Sequence, residues 1–227
     1  LKPFLACLGL LVGCGGANVP PIDAGTPWDK CRLPDASPKT IQQVVDRINA
    51  LPRPVDIPCV IAGLPRPLAV VASTSVFSAQ PAEGRRSPRL FLMLDGLILA
   101  VVPDGTGKHL LEFGQLVAPG RTVKAELAFP IDGGVADAAP YERVQMNATQ
   151  TNCALCHRFE SPHDAGYSSA GFKPDPGNLV PLSELKQQLA ACDFAAEKER
   201  CDMLFAVFSF GTTTEGKFPA QFELFVQ

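Results

Sequence analysis

Hydrophobic positions change period twice along this 227-residue chain. After Ser37-Pro38, apolar residues fall at Ile41, Val44, Val45, Ile48 and Leu51, the spacing of one helix face, with Ser37 as N-cap and Pro38 at the first helical position. Pro52 and Pro54 end that helix. Over residues 55–129 the pattern becomes that of strands. The runs Leu90-Phe91-Leu92-Met93-Leu94 and Leu97-Ile98-Leu99-Ala100-Val101-Val102 flank Asp95-Gly96, a two-residue hairpin signal, and their unbroken apolarity predicts burial on both faces. Further strands are predicted over 68–77 and 110–117. Pro119-Gly120 then turns the chain into an alternating run, with Val123, Ala125, Leu127 and Phe129 on one face and Thr122, Lys124 and Glu126 on the other.

Five or more successive strands predict an antiparallel meander, in its simplest form a β-sandwich. From about residue 141 the chain is polar and turn-rich, then helical. Ser183 caps a short helix through Leu185 and Leu189 to Cys192, and a longer helix over 194–210 ends at Gly211. The expected fold class is α+β: a helix plus an N-terminal antiparallel β-sandwich over 37–140, followed by a small helical segment over 141–227.

The chain's beginning carries a different signal. Lys2 precedes the nine apolar residues 4–12, too short to span a bilayer and the length of an export signal's hydrophobic region. The run closes in Leu11-Val12-Gly13-Cys14, which resembles the lipobox of bacterial lipoproteins. The resemblance implies that residues 1–13 are removed and that Cys14 carries lipid, so that residues 14–36, rich in Gly, Pro and Asp, tether the domain to a membrane. Gly15, in place of Asp, implies the outer membrane of the cell envelope.

Charge and composition narrow the partners. Twenty basic against 23 acidic residues give a net charge of −3, which excludes the basic footprint of a nucleic-acid binder. Ser73, Ser75 and Ser78 lack a G-x-S-x-G context, and Asp132, Asp137, Glu142 and Glu160 show no acid–base pairing, so a hydrolase has no support. Of eight cysteines, Cys7 leaves with the signal and Cys14 takes lipid, leaving an even six for an oxidising compartment. Cys31 with Cys59, and Cys192 with Cys201, are the expected disulfides. The first closes the 37–51 helix onto the start of the β-domain, and the second joins the two C-terminal helices.

The remaining pair lies in Cys153-Ala154-Leu155-Cys156-His157, which resembles the haem-attachment motif of c-type cytochromes. Two thiols one helical turn apart reach the two vinyl groups of one porphyrin, and the following imidazole lies beneath the iron. The resemblance covers this pentapeptide and, loosely, the helical residues after it. It implies one covalent haem c, with Cys153 and Cys156 as thioether anchors and His157 as proximal ligand. One-electron transfer or redox sensing with an envelope partner protein is the function it implies. Other readings are a five-coordinate haem peroxidase using Arg158 or His163, a zinc site completed by His163, and a non-haem binding module with three disulfides.

The sixth iron ligand is expected from the last helix. Cys201, Leu204, Phe205 and Phe208 form one apolar stripe, and Met203, Ala206, Val207 and Phe210 a second. With Cys201 turned to the preceding helix, the second stripe is available to a flat porphyrin, with Met203 as thioether ligand. Met146 and an open position are the alternatives.

Overall fold

The computed structural model describes residues 26–224, apart from 35, 77, 79 and 165, so Cys14 and the export signal lie outside the described residues. The first helix, α1 (Ile41–Ala50), starts at Thr40 and not at Ser37. The Thr40 hydroxyl accepts from the Gln43 amide while Gln43 Oε1 accepts from the Lys39 amide, so a T-x-x-Q signature starts the helix. A second helix, α2 (Ile57–Ala62), stands where strand was expected. Asp56 accepts from the Cys59 amide at 2.7 Å and Pro58 occupies its first turn, a start signal that the apolar run had masked.

The meander follows as β1 (Leu68–Ser73), β2 (Arg89–Leu94), β3 (Leu97–Val101), β4 (Leu110–Ala118) and β5 (Arg121–Ala128). The Asp95-Gly96 hairpin pairs Leu94 with Leu97, and Gly96 supplies the positive φ the turn needs. Next come α3 (Ala139–Val144) and a small hairpin of β6 (Gln145–Asn147) and β7 (Gln150–Thr151). They are followed by β8 (Ser161–His163), β9 (Gly166–Ala170), β10 (Phe172–Lys173), β11 (Leu179–Val180), α4 (Leu182–Ala190) and α5 (Lys198–Phe208). The last strands are β12 (Thr213–Glu215) and β13 (Glu223–Leu224).

These strands do not make a sandwich. Nine of them form a single sheet in the order β11-β1-β2-β3-β4-β5-β9-β8, with β12 running parallel beside β1 and all other neighbours antiparallel. A second sheet is unnecessary because the helices cover the apolar face. Leu92, Leu99, Leu111 and Val123 share one core with Ile48 of α1, Ile61 of α2, Leu185 of α4 and Leu204 of α5. At its helical end Phe205 is ringed by Trp28, Phe194 and Phe210 at 5.8, 6.2 and 5.9 Å between centroids.

Nor is the chain after 141 a separate helical unit. It returns β9 to the edge of β5 and β11 and β12 to the edge of β1, and its two helices pack with α2 and the sheet. The last helix begins at Lys198 rather than 194, because Asp193 takes the amides of Ala195 and Ala196 into a turn.

Both expected disulfides are present. Cys31–Cys59 ties the 3-10 turn Asp29–Cys31 to α2 and encloses α1, and Cys192–Cys201 ties the end of α4 to α5. Sequence separations of 28 and 9 give about 3.6 and about 2.6 kcal/mol from unfolded-state chain entropy.

Candidate functional site

The sheet face away from α1, α2, α4 and α5 floors a cavity of about 510 Å³, with Val144 of α3 at its border. Alternation places Thr122, Lys124 and Glu126 of β5 on this face, opposite the core residues Val123, Ala125 and Leu127. Ile98 and Ala100 of β3, and Glu112 and Gly114 of β4, continue it, so its centre is low and flat. Aromatic walls come from Phe91, Phe172, Phe218 and Phe222, the last two on the C-terminal arm that β13 pins beside β10.

The remaining wall is the CALCH pentapeptide. Thr151 begins a 3-10 turn, Asn152–Leu155, and its hydroxyl accepts from the Cys153 amide at 3.2 Å. The Glu160 carboxylate holds Thr151 in turn, accepting from its amide at 2.9 Å and from its hydroxyl. The amides of Cys156 and His157 both donate to the Cys153 carbonyl, at 3.1 and 2.8 Å. This one turn of helix-like backbone brings Cys153, Cys156 and His157 to the same cavity. Both cysteines are free thiols.

Beyond the motif the loop is fastened to the sheet by Arg121. Its guanidinium donates to the carbonyls of Phe159 and Ser168, at 2.9 and 2.8 Å, and to the Ser161 hydroxyl at 2.8 Å. Phe159 is held at φ 58°, a costly left-handed conformation for an aromatic residue, and the residue is 78% exposed. Leu155, within the motif, is 79% exposed, so an apolar rim stands beside the thiols and the imidazole.

His157 has a defined tautomer. Its Nδ1 lies 2.8 Å from the carbonyl oxygen of Ala170, which accepts only, so Nδ1 carries the proton and Nε2 keeps its lone pair. Burial, assisted by the positive charge of Lys124, pushes the imidazole down to about 3, so it is neutral at physiological pH. A neutral ring whose second nitrogen is fixed by a backbone carbonyl is how metal-binding histidines are oriented. The ring also packs against Phe172, with centroids 5.4 Å apart. Burial moves the Cys153 thiol up to about 11. That is opposite to the depressed value of an attacking redox thiol and does not fit thioredoxin-like exchange.

The charges on the floor are mostly paired. Glu112 and Glu126 stand opposite each other across β4 and β5, a repulsive register relieved because Arg89 holds the first and Arg143 the second. The Lys124 side chain makes no hydrogen bond or ion pair among the described residues, and burial, against the attraction of Cys153 and Glu112, lowers it to about 8.

Other expected site residues are not brought here. Met203 is 3% exposed in the helix-side core with Leu204 and Phe205, across the sheet from the cavity. Its stripe covers the helix and sheet core, because the chain spends both faces of α5 on packing. Met146 is exposed on β6, and neither it, His163 nor Arg158 lines the cavity. The distal groups proposed for a peroxidase are therefore elsewhere. Among the described residues no group of three or more His, Cys, Asp and Glu is placed to hold a metal ion, so the zinc site with His163 is not formed. A haem asks only one imidazole of this wall. Arg89, Glu112, Lys124 and Glu126 were missed as site residues. Their sequence signal was charge on strands whose other face is mainly apolar, at the start of β2 for Arg89 and within β4 and β5 for the rest.

Compared with known protein families, with characterised proteins and with solved structures, the chain matches none.

Proposed function

We propose that this protein is a cell-envelope lipoprotein that carries one covalent haem c and serves one-electron transfer or redox sensing. Cys153 and Cys156 hold the group through thioethers and His157 offers Nε2 to the iron. The observation that carries this reading is the His157 Nδ1 to Ala170 carbonyl bond, which leaves Nε2 as a free donor in the cavity shared by both free thiols. The cavity's volume is in the ~300–1,000 Å³ range of cofactor sites, and its aromatic walls suit a flat apolar group.

When bound, the haem supplies an iron centre that cycles between two oxidation states. The chain's own residues do the rest. The Ala170 carbonyl orients the imidazole and strengthens it as a donor. The phenylalanine walls exclude water, which with the neighbouring charges sets the potential. Leu155 and Phe159 offer an apolar rim to an envelope redox partner protein. The lipobox resemblance supplies the anchor, Cys14, and the outer-membrane location.

The test is intact-mass spectrometry under denaturing conditions, on protein exported in a host with cytochrome c maturation. The expected mass is polypeptide plus one haem, lost in the Cys153→Ala/Cys156→Ala double variant. A wild-type mass equal to the polypeptide, with or without a Cys153–Cys156 disulfide, overturns the reading.

A further inference from the structure

Lys124 is the one cation of the cavity floor that the fold leaves without a partner among the described residues. Arg89 is paired with Glu112, and Glu126 is taken by Arg143. Register explains where the side chain lies. Gly114 is the cross-strand partner of Lys124 and, on its other side, of Ile98, so the lysine stem crosses a position with no side chain of its own. The Lys124 nitrogen comes within 3.9 Å of where a Gly114 Cβ would stand. Cys153, Cys156 and His157 line the same cavity from the CALCH wall.

Lys124 is half-buried, and burial outweighs the attraction of Cys153 and of Glu112, which Arg89 already holds, so its ammonium carries a desolvation cost that a group in the cavity can offset. A lone-pair acceptor meets it once the amine has shed its proton to water, as any metal-bound lysine must. Thioether and imidazole alternatives are absent from the cavity lining, since Met203, Met146, His109 and His163 do not contribute to it. Lys173, on β10 after Phe172, also lines the cavity and is the alternative amine that the Lys124 variants below separate.

We infer that Lys124 would supply the haem iron's second protein ligand through its amine nitrogen, from the sheet floor of the cavity whose CALCH wall carries His157. This rests on the haem reading above and deepens it, replacing the methionine that the sequence pattern had suggested. A competing role for the same cation is to pair with a carboxylate of the porphyrin edge, and the two roles separate by chemistry. Arginine keeps the charge but has no lone pair to give a metal. Methionine gives a ligand without the charge.

The experiment is electron paramagnetic resonance and optical spectroscopy of the oxidised, haem-loaded protein, with Lys124→Ala, Lys124→Arg and Lys124→Met variants checked for native circular dichroism. Wild type is expected to be low-spin. Lys124→Ala and Lys124→Arg are expected to lose the low-spin signal. Lys124→Met is expected to recover it with a more positive midpoint potential. Wild-type spectra in the Arg and Ala variants overturn the assignment, and a spectrum lost in Ala but kept in Arg assigns Lys124 to carboxylate pairing and overturns it equally. A wild-type chain that takes up no haem overturns the underlying reading instead, so the two failures are distinct.

Discussion

Gly114 offers the sharpest check on the cavity floor. It lies in the middle of β4, and a Cβ built on it would meet nothing nearer than 3.9 Å: the Cβ and carbonyl oxygen of Ile98 and the amine of Lys124. Its φ is not in the left-handed region. A Cβ is therefore accepted without strain, and with the Lys124 stem swung aside Gly114→Leu removes backbone entropy from the unfolded chain, a gain of about 0.5–1 kcal/mol. At roughly 2–4 °C per kcal/mol for a chain of this size, the unloaded protein should melt about 1–4 °C higher. The leucine, however, enters the 510 Å³ cavity above the floor. Overpacking there costs a bound group about 1–3 kcal/mol, or ~5–150-fold in occupancy before the thioethers close. The assays are thermal melts of chain made without haem and pyridine haemochrome stoichiometry of chain made with maturation. Gly133→Leu, at an exposed glycine with nothing within 4 Å, is the control and should load normally. Wild-type haem content in Gly114→Leu refutes the assignment of this floor, and a melt lowered by several degrees refutes the open space above it.

Three further outcomes are expected. Cys31→Ala/Cys59→Ala should cost about 3.6 kcal/mol in urea unfolding, whereas Cys153→Ser/Cys156→Ser should leave the unloaded chain unchanged, since those thiols close no loop. Asp202 is a buried carboxylate in α5 whose pKa is raised by burial, more than its ion pair with Lys198 lowers it. The folded state therefore takes up its proton at higher pH than the unfolded chain, and the charged form costs stability at neutral pH. Asp202→Asn should be the more stable protein at pH 7, with the difference closing as pH falls towards 3.8; equal urea midpoints at neutral pH would refute this. Cys14→Ser should move the protein from the membrane pellet to the soluble envelope fraction, and retention in the pellet refutes a lipid anchor.

Most strands and the two C-terminal helices were legible in the sequence, whereas α2 was hidden by the apolar run around it. Asp95-Gly96 and Pro119-Gly120 fixed the hairpins because only a few residue pairs accept those turns, and the alternation of β5 fixed which side chains meet the core. The disulfide pairs were legible because short separations on adjoining elements leave few partners. The CALCH spacing was legible because its chemistry is confined to one turn of backbone. The tertiary structure decided what no local signal holds. Whether five strands need a second sheet depends on what else covers their apolar face, and α1, α2, α4 and α5 do so. Both stripes of α5 look alike in sequence, but only packing shows that Met203 is core. The polar face of β5 reads as a solvated surface until the CALCH turn and the C-terminal arm, drawn from residues more than 25 positions away, are laid over it. Lys124 gains its meaning only there, because a charge without an ion pair is ordinary in water and costs desolvation when a wall is laid over it.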